Sequence, residues 1–281
     1  MKNSTEIKEI VREKYADIAN QSKTVNEASC CGTGSCTGVD YTIFAEDYTK
    51  LKGYNPDADL GLGCGLPTEF ALIKEGDIVI DLGSGAGNDA FIARAIIGEK
   101  GKVIGIDFTE EMINKSRENA EKLGFNNVEF RFGDIEKMPV TANVADVIIS
   151  NCVLNLVPDK VKTFKEIFRV LKPGGHFSVS DIVATGELPG AIKSGAELYA
   201  GCVSGAIKQN EYLNIIDDTG FVNLKVQKER VINIPDEIYL KFISAEELKK
   251  FKASGVKLVS INVYADKPEK EQTCCGPECC N

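Results

Sequence analysis

Between residues 77 and 183, short apolar runs alternate with longer segments in which apolar side chains recur every three or four residues. The runs are nearly continuous in apolar residues, as in strands that are buried on both faces of a sheet. They predict five strands, at 77–83, 102–107, 128–133, 145–151 and 176–183, separated by helices that end near residue 97 or span 110–123 and 159–171. Strands that alternate with helices in this way indicate a mostly parallel, doubly wound α/β sheet.

The ends of the predicted helices carry recognisable signals. Thr109 stands where it can cap the helix over 110–123, and Gly124 follows that helix, as expected for a glycine at a C-terminal cap. Residues 172–175, Lys-Pro-Gly-Gly, are expected to stop the helix over 159–171 and lead into the strand that begins at His176.

Outside this region the pattern is less regular. Residues 4–20 carry the apolar stripe of an amphipathic helix, whereas 21–66 are rich in Gly, Ser, Thr and Asn and predict a long irregular segment. We expect a partly helical stretch over 186–208, a helix over 210–219 and late strands over 224–232 and 256–265. These patterns divide the chain into an N-terminal segment with a Cys-containing loop (1–66), a core (67–185), a C-terminal region that completes the sheet and caps the substrate (186–266) and a cysteine-rich tail that is expected to be disordered (267–281).

Composition excludes several classes of function. The 281 residues include 43% hydrophobic and 27% charged side chains, close to an ordinary globular protein, so a sizeable core can form. The net charge of −9 argues against a nucleic-acid binder, which usually has a basic face. Every apolar run is interrupted before the ~18 residues of a membrane span, and the N-terminus lacks the pattern of a secretory signal. We therefore expect a cytoplasmic protein with no nucleic-acid or membrane partner.

Cysteine is abundant, whereas histidine is nearly absent. The chain has ten cysteines and one histidine, His176. One imidazole leaves almost no material for a Ser-His-Asp triad or a histidine-rich metal site. In a reducing cytosol, so many cysteines favour metal binding, catalysis or redox chemistry over structural disulfides. Any reaction therefore depends on thiols, carboxylates or a cofactor.

A glycine-rich loop follows the first predicted strand. Residues 81–87, Asp-Leu-Gly-Ser-Gly-Ala-Gly, join this strand to the next helix, at the edge where open parallel sheets bind ligands. Asp107, at the end of the second strand, can accept hydrogen bonds from ribose hydroxyls. A nicotinamide dinucleotide site would look similar, but its fingerprint requires glycine or alanine where Asn88 stands.

The loop resembles the first motif of class I S-adenosylmethionine methyltransferases, and residues 133–135 and 171–175 match two further segments of that superfamily. The resemblance implies an α/β, Rossmann-like class I methyltransferase with a mostly parallel doubly wound sheet, and S-adenosyl-L-methionine as the methyl donor. It implies that Asp107 holds the ribose, that Asp134 and Ile135 flank the adenine and that 83–87 face the methionine part. The residues expected to bind the donor are Asp81, Gly83, Ser84, Gly85, Gly87, Asn88, Asp107, Phe108, Met112, Asp134, Ile135 and Asn151.

Three cysteines have unusual surroundings. Cys64 lies between glycines upstream of the first strand, Cys152 lies at the carboxyl end of the fourth strand, and Cys202 follows the fifth. A small buried hydrophobe is an open interpretation for Cys152 alone, but fits Cys64 poorly because its glycine neighbours provide no packed element. Structural zinc favours closely spaced cysteine pairs, and these three are far apart. Three thiolates without a fourth ligand suit trivalent arsenic, which keeps a lone pair.

Over nearly its full length the chain resembles arsenite methyltransferases, in segments 61–65, 81–87, 148–155 and 199–206. The resemblance implies that Cys64, Cys152 and Cys202 bind As(III), and that a further N-terminal cysteine, either Cys36 or Cys31, takes part in catalysis. It implies that the arsenic lone pair attacks the sulfonium methyl directly. A cysteine pair, for which Cys64 and the N-terminal cysteine are candidates, then reduces the arsenic, and thioredoxin or glutathione reopens the disulfide.

The expected activity is methylation of arsenite and methylated trivalent arsenicals, for arsenic detoxification, by a monomeric enzyme. We expect the remaining cysteines to capture metalloid without a catalytic part; they are Cys30, Cys31, Cys274, Cys275, Cys279 and Cys280. Two alternatives stay open. A C- or O-methyltransferase for small organic molecules would use the same donor motifs and a base near the methyl group. A metalloid-sequestering protein would explain the thiols but leave the donor motifs without a role.

Overall fold

Seven strands form a mixed sheet in the computed structural model, which describes residues 4–21, 46–194, 203 and 205–269. The strands are β1 (Ile78–Leu82), β2 (Lys102–Asp107), β3 (Val128–Phe132), β4 (Ala145–Asn151), β5 (Leu171–Ala184), β6 (Val222–Ile232) and β7 (Leu258–Asp266). Their order is β3-β2-β1-β4-β5-β7-β6. Neighbours among β1 to β5 run parallel, and β7 runs antiparallel to β5 and β6. The predicted mostly parallel α/β sheet is confirmed.

The helices within the described residues follow the predicted alternation, and three of them were not indicated by the sequence pattern. In chain order they are α1 (Ser4–Ala19), α2 (Pro67–Phe70), α3 (Asn88–Ile97), α4 (Glu110–Lys122), α5 (Lys160–Val170), α6 (Gly190–Ser194), α7 (Gln209–Asp218), α8 (Asp236–Tyr239) and α9 (Ala245–Ala253), with a 3₁₀ turn at Ile135–Lys137. The unexpected helices are α2, α8 and α9. The last had a readable signal, because Ser244 and Glu247 form a capping box at its N-terminus.

Both faces of the central strands are covered by helices. On β1, Ile80 packs in one cluster with Phe164 of α5 and Tyr212 of α7. Its neighbour Val79 packs on the opposite face with Phe91 of α3. Side chains alternate between the two faces of a strand, so a strand covered on both sides is apolar at successive positions. With both faces covered, the loops at the carboxyl ends of the strands are the place for a ligand site.

Two details of the helix ends differ from the sequence-based expectation. Thr109 is the N-cap residue of α4, but its side chain makes no capping hydrogen bond; its backbone N–H instead donates to Asp107 at 2.8 Å. The helix ends before Lys172, as expected, but the strand expected from His176 begins earlier, at Leu171, immediately after α5. A Cβ on Gly175 would lie 2.8 Å from the carbonyl oxygen of Asp146, so glycine permits this close approach to β4.

The two ends of the described chain pack onto this core. The α1 helix lies against α4, where Lys115 Nζ donates to the carbonyl oxygen of Ala19 at 2.9 Å. Lys267 donates to the carbonyl oxygens of Phe168 and Leu171 at 2.7 and 2.8 Å. The cysteines of the predicted tail and residues 22–45 lie outside the described residues. None of the helices that the structure describes is long and apolar enough to cross a bilayer.

Candidate active site

A cleft opens at the carboxyl ends of β1, β2 and β4, the edge where parallel α/β sheets bind ligands. Most residues expected to bind the donor line it: Asp81, Gly83, Ser84, Gly85, Asn88, Asp107, Phe108, Asp134, Ile135 and Asn151. Gly87 and Met112 lie behind this lining. Gly87 is the N-cap residue of α3, and Met112 is fully buried in the core, with its Sδ 3.9 Å from where a Cβ on Gly85 would lie. The individual roles of these residues stay predictions.

Glycines shape the loop between β1 and α3. Gly83, Gly85 and Gly87 have φ values of +64°, +51° and +100°, in the region that glycine adopts readily. A Cβ on Gly83 would lie 2.4 Å from the side chain of Val153, whereas a Cβ on Gly85 would meet only Met112 Sδ, at 3.9 Å. The backbone of the loop therefore faces the cleft at Gly85 with open space in front of it.

Asp107 holds this loop in place. One carboxylate oxygen accepts a hydrogen bond from the N–H of Gly85 at 3.0 Å, and the other accepts from the N–H of Thr109 at 2.8 Å. Burial raises the pKa of Asp107, and these backbone donors oppose the rise. Each carboxylate oxygen has a second lone pair, so Asp107 can still accept hydrogen bonds from the hydroxyls of a ligand.

The cleft is acidic. Its described lining includes Lys8 and five aspartates, namely Asp59, Asp81, Asp89, Asp107 and Asp134. Burial raises the pKa of Asp81 well above its usual range, and the nearby carboxylates of Asp89 and Asp107 raise it further. Burial also raises the pKa of Asp89, to about 6, although hydrogen bonds from Asn151 and Tyr48 oppose this. A cationic ligand would offset the repulsion among these carboxylates.

Several buried polar atoms of the lining have no hydrogen-bond partner among the described residues. They are Asp81 Oδ2, Ser84 Oγ, Asn88 Oδ1, Asp89 Oδ1 and Thr109 Oγ1. Buried polar atoms are normally paired, so a ligand is their expected partner. S-adenosylmethionine has a sulfonium, an ammonium, a carboxylate and several N–H and O–H donors. Its excess of positive charge and its donors fit this lining.

The N-terminal helix covers one side of the cleft, which the sequence pattern did not indicate. Lys8, Val11 and Tyr15 of α1 belong to the lining. Lys8 Nζ lies 2.6 Å from a carboxylate oxygen of Asp134 and 2.6 Å from one of Glu136. Partial burial opposes the charge of Lys8, but these two acceptors outweigh it and raise its pKa. An amphipathic pattern predicts a helix but not which part of the protein the helix covers.

Cys64 and Cys152 lie side by side at one end of the cleft. They are joined by a disulfide, with their Cα atoms 5.7 Å apart. Cys152 lines the cleft, whereas Cys64 is fully buried in an apolar cluster with Leu156 and Ile182. The expectation that Cys64 is ill suited to burial is therefore wrong, because its irregular loop packs against the ends of the strands.

Cys152 has an unusual backbone conformation. Its φ is +60°, which is uncommon for a residue other than glycine and often marks a functional site. Its N–H donates to the carbonyl oxygen of Ser180 on β5 at 2.7 Å, which holds the turn that follows β4. This turn places the side chain of Cys152 against Cys64.

Residues 61–66, here called the Cys64 loop, are held by hydrogen bonds from two sides. Asn151 was expected to bind the donor; it lines the cleft, but its side chain also brackets Cys64. Asn151 Oδ1 accepts from the N–H of Cys64 at 3.0 Å, and its Nδ2 donates to the carbonyl oxygen of Gly65 at 2.8 Å. Tyr48 Oη donates to the same oxygen of Gly65 at 2.9 Å. From β7, Ser260 Oγ donates to the carbonyl oxygen of Cys64 at 2.6 Å.

Three further cysteines were expected as candidates at the site. Cys202, Cys36 and Cys31 lie outside the described residues, so the three-thiolate site and the N-terminal redox cysteine stay predictions. The structure joins Cys64 to Cys152, whereas the pairing of Cys64 with an N-terminal cysteine stays a prediction. Within the described ranges, no three His, Cys, Asp or Glu side chains are grouped as a metal site.

The fold and the cleft define a methyltransferase, and comparisons with known proteins agree. A family model described as a methyltransferase domain matches residues 73–220. An arsenite methyltransferase of Halobacterium salinarum is 39% identical over 95% of this chain and 68% of its own length. The mouse arsenite methyltransferase is 38% identical over 62% of this chain and 48% of its own length. The chain thus spans between about half and two thirds of the length of these curated relatives.

A solved structure shows the same likeness. The crystal structure of an arsenic(III) S-adenosylmethionine methyltransferase from Chlamydomonas reinhardtii superposes with a TM-score of 0.63 at 32% identity, covering 73% of this chain and 68% of that one. The protein is therefore an S-adenosylmethionine-dependent methyltransferase of class I fold. Within that class, the chain belongs to the arsenite methyltransferase family.

Proposed function

We propose that this enzyme methylates trivalent arsenic that is bound by cysteine sulfurs beside the donor cleft. The observation that carries the proposal is the pair Cys64 and Cys152, whose sulfurs meet at the edge of an acidic cleft suited to a cationic methyl donor. Once reduced, the pair offers two thiolates to a soft, thiol-seeking substrate. Cys202 is proposed as the third arsenic ligand, in keeping with the family resemblance.

The donor cleft is proposed to bind, orient and shield S-adenosylmethionine, which supplies an electrophilic methyl group on a sulfonium. Asp107 is proposed to hold the ribose, and the backbone at Gly85 leaves room for a ligand at the end of β1. The α1 helix covers this side through the bonds of Lys8 to Asp134 and Glu136, which keeps water from part of the site. Proximity and exclusion of water are the contributions expected of a site without a general base.

Methyl transfer needs little from the side chains. The arsenic lone pair forms the As–C bond while the S–C bond breaks, and the electron pair of that bond stays on the departing sulfur. Arsenic is thereby oxidised formally from As(III) to As(V). No proton moves in this step. This agrees with a cleft whose described lining contains no histidine: Nε2 of His176 donates to the carbonyl oxygen of Ala71, and its ring packs against Tyr264.

A second methylation requires that arsenic returns to As(III). We propose that two cysteine thiolates supply the two electrons and become a disulfide, and that thioredoxin or glutathione reopens it by thiol–disulfide exchange. The adjacency of Cys64 and Cys152 supports them as such a pair. The N-terminal cysteine, Cys36 or Cys31, is a second candidate. The cycle depends on reduced thiols, the state that a reducing cytosol maintains.

The test supplies reduced, purified protein with arsenite, a thiol and S-adenosylmethionine labelled in its methyl group. Arsenic species are separated by chromatography and quantified with an arsenic-specific detector. We expect labelled methylarsenicals that require both enzyme and donor. Cys152→Ser should lose this product, because an arsenic ligand is missing, while its affinity for S-adenosylmethionine in equilibrium dialysis stays within twofold of wild type.

Cys279→Ser provides the matched control, since it removes one thiol from the tail and should keep wild-type turnover. Full arsenic methylation by Cys152→Ser would refute the thiolate site. Donor binding without any methylated arsenic, in both wild type and control, would instead favour an organic-substrate methyltransferase. Binding of arsenite without donor binding would favour a sequestering protein.

A further inference from the structure

Asp89, in the first turn of α3, has its two carboxylate oxygens in different surroundings. Its Oδ2 accepts hydrogen bonds from Tyr48 Oη and Asn151 Nδ2, each at 3.1 Å. Its Oδ1 is buried and has no hydrogen-bond partner among the described residues, and Asp89 itself belongs to the lining of the donor cleft. The carboxylate of Asp89 therefore has one oxygen bonded to Tyr48 and Asn151 and a second oxygen without a partner, in a residue that lines the cleft.

The partners of Oδ2 are the same two side chains that hold the Cys64 loop. Tyr48 donates to the carbonyl oxygen of Gly65, and Asn151 bonds both that oxygen and the N–H of Cys64. Asn151 Nδ2 also donates to Tyr48 Oη. Tyr48 has one hydroxyl hydrogen and Asn151 has two amide hydrogens, so Asp89 and Gly65 share a limited set of donors. The charge and position of Asp89 thus bear on how firmly the loop is held.

The loop has little freedom to move without these bonds changing. Gly63 has φ of +106°, and a Cβ there would lie 2.8 Å from Asn151 Nδ2. Tyr48 is 3% exposed and packs under the loop with Leu66 and Ile92. The surroundings are tightly packed and allow few alternative arrangements of these side chains. A shift of the Asp89 carboxylate therefore moves Tyr48 and Asn151, and through them Cys64.

Resting on the function proposed above, we propose that Asp89 is a positioning residue that couples the charge of the ligand in the donor cleft to the Cys64 loop. A cation beside Asp89 fixes the position of its carboxylate, so that Oδ2 holds Tyr48 and Asn151 in the arrangement that places Cys64 against Cys152. The neutral demethylated product lacks the sulfonium charge and gives no such support. Trivalent arsenicals therefore bind more tightly with the cationic donor than with the product.

The test measures this coupling without catalysis. The background is the full chain with the six cysteines of the pairs Cys30-Cys31, Cys274-Cys275 and Cys279-Cys280 changed to serine, so that the probe reports on the site. The probe is phenylarsine oxide, a trivalent arsenical that binds two thiols. Its Kd is measured on reduced protein alone, with saturating sinefungin and with saturating S-adenosylhomocysteine. Sinefungin carries a protonated amine in place of the sulfonium and transfers no methyl group.

We expect sinefungin to tighten arsenical binding at least fivefold, the lower end of typical couplings between sites, and S-adenosylhomocysteine to change it less than twofold. In Asp89→Asn the sinefungin effect should fall below twofold, while the Kd for the arsenical alone stays within twofold of the parent. A merely structural role for Asp89 would weaken binding equally with every ligand. Asp218→Asn is the control: it removes one charge from an exposed side chain of α7 that does not belong to the cleft lining, and it should keep the fivefold effect.

An undiminished sinefungin effect in Asp89→Asn would overturn the inference, as would equal effects of sinefungin and the neutral product in the parent protein. Tyr48→Phe is the second variant, should Asp89→Asn fail to fold. It removes the hydroxyl that joins Asp89 to Gly65 and should at least halve the coupling; an unchanged coupling there would likewise overturn the inference. Arsenical binding without coupling refutes this inference alone, whereas no arsenical binding refutes the proposed function as well.

Discussion

The pH dependence of stability should depend strongly on Asp181, a carboxylate in the core behind the active site. Asp181 lies on β5, is fully buried, and accepts hydrogen bonds from the N–H of Ile182 at 3.0 Å and from Tyr212 Oη at 3.3 Å. Burial raises its pKa from 3.8 to about 7, although the charge of Lys160 and these two donors oppose the rise.

The sign and size of the effect follow from linkage. The folded state keeps the proton of Asp181 up to about pH 7, whereas the unfolded state loses it near pH 4, so stability falls as the pH rises through this window. A shift of about 3 units corresponds to about 4 kcal/mol, at 1.36 kcal/mol per unit. Between pH 5 and pH 8 the expected loss is roughly 3 kcal/mol, because part of the window lies below pH 5.

Asp181→Asn removes this titration. The variant should gain stability over wild type by roughly 3 kcal/mol more at pH 8 than at pH 5. Urea unfolding followed by far-UV circular dichroism suits this measurement, since the chain has no tryptophan. Asp218→Asn, at the exposed end of α7, is the matched control and should show the same difference from wild type at both pH values. An Asp181→Asn variant whose difference from wild type is equal at pH 5 and pH 8 would contradict the reasoning.

Three further substitutions test contacts that hold the sheet and the site. Gly105→Ala would place a Cβ 2.5 Å from the ring of Phe130, so we expect a loss of about 1–3 kcal/mol in urea unfolding, and a neutral result would be inconsistent with that packing. Lys8→Met removes the ion pairs that hold α1 over the cleft and should weaken S-adenosylmethionine binding severalfold in equilibrium dialysis. The free energy of unfolding should change by less than about 1 kcal/mol, because these ion pairs are partly exposed. Unchanged affinity would show that α1 does not contribute to donor binding. Ser260→Ala removes the hydroxyl that donates to the carbonyl oxygen of Cys64 and should lower the free energy of unfolding by about 1 kcal/mol. Arsenite turnover should fall while the affinity for S-adenosylmethionine stays intact. An equal loss of turnover and affinity would argue against an effect confined to Cys64.

Much of the fold could be predicted from periodicity. The bounds of β2 and β4 match the expected segments; α4 ends one residue earlier than expected, and α5 is one residue shorter at each end. Strands that are buried on both faces are apolar throughout, and this local property can be read from short stretches of chain. The start of β5 at Leu171 could not be read in this way, because a Lys-Pro-Gly-Gly sequence usually forms a turn and only its pairing with β4 makes it a strand.

Many of the residues that line the cleft could also be predicted from the sequence, since they come from loops next to strand ends. Asp81, Gly85, Asp107 and Asn151 all belong to the lining, as expected for side chains at one edge of a parallel sheet. No local pattern indicated that Lys8, Asp59 and Asp89 belong to this lining. Lys8 comes from a helix 126 residues away from its partner Asp134, and only the packing of α1 on α4 brings them together.

The sequence by itself determined the kind of sheet, the donor loop and the cysteines available for chemistry, because hydrophobic period, glycine spacing and thiol content are local properties. Only the tertiary structure decided that Cys64 is buried against Cys152 and that Asn151, Tyr48 and Ser260 hold it there. Such contacts join residues that are far apart in the chain, and their geometry follows from how strands and loops pack against one another. No local pattern carries that information.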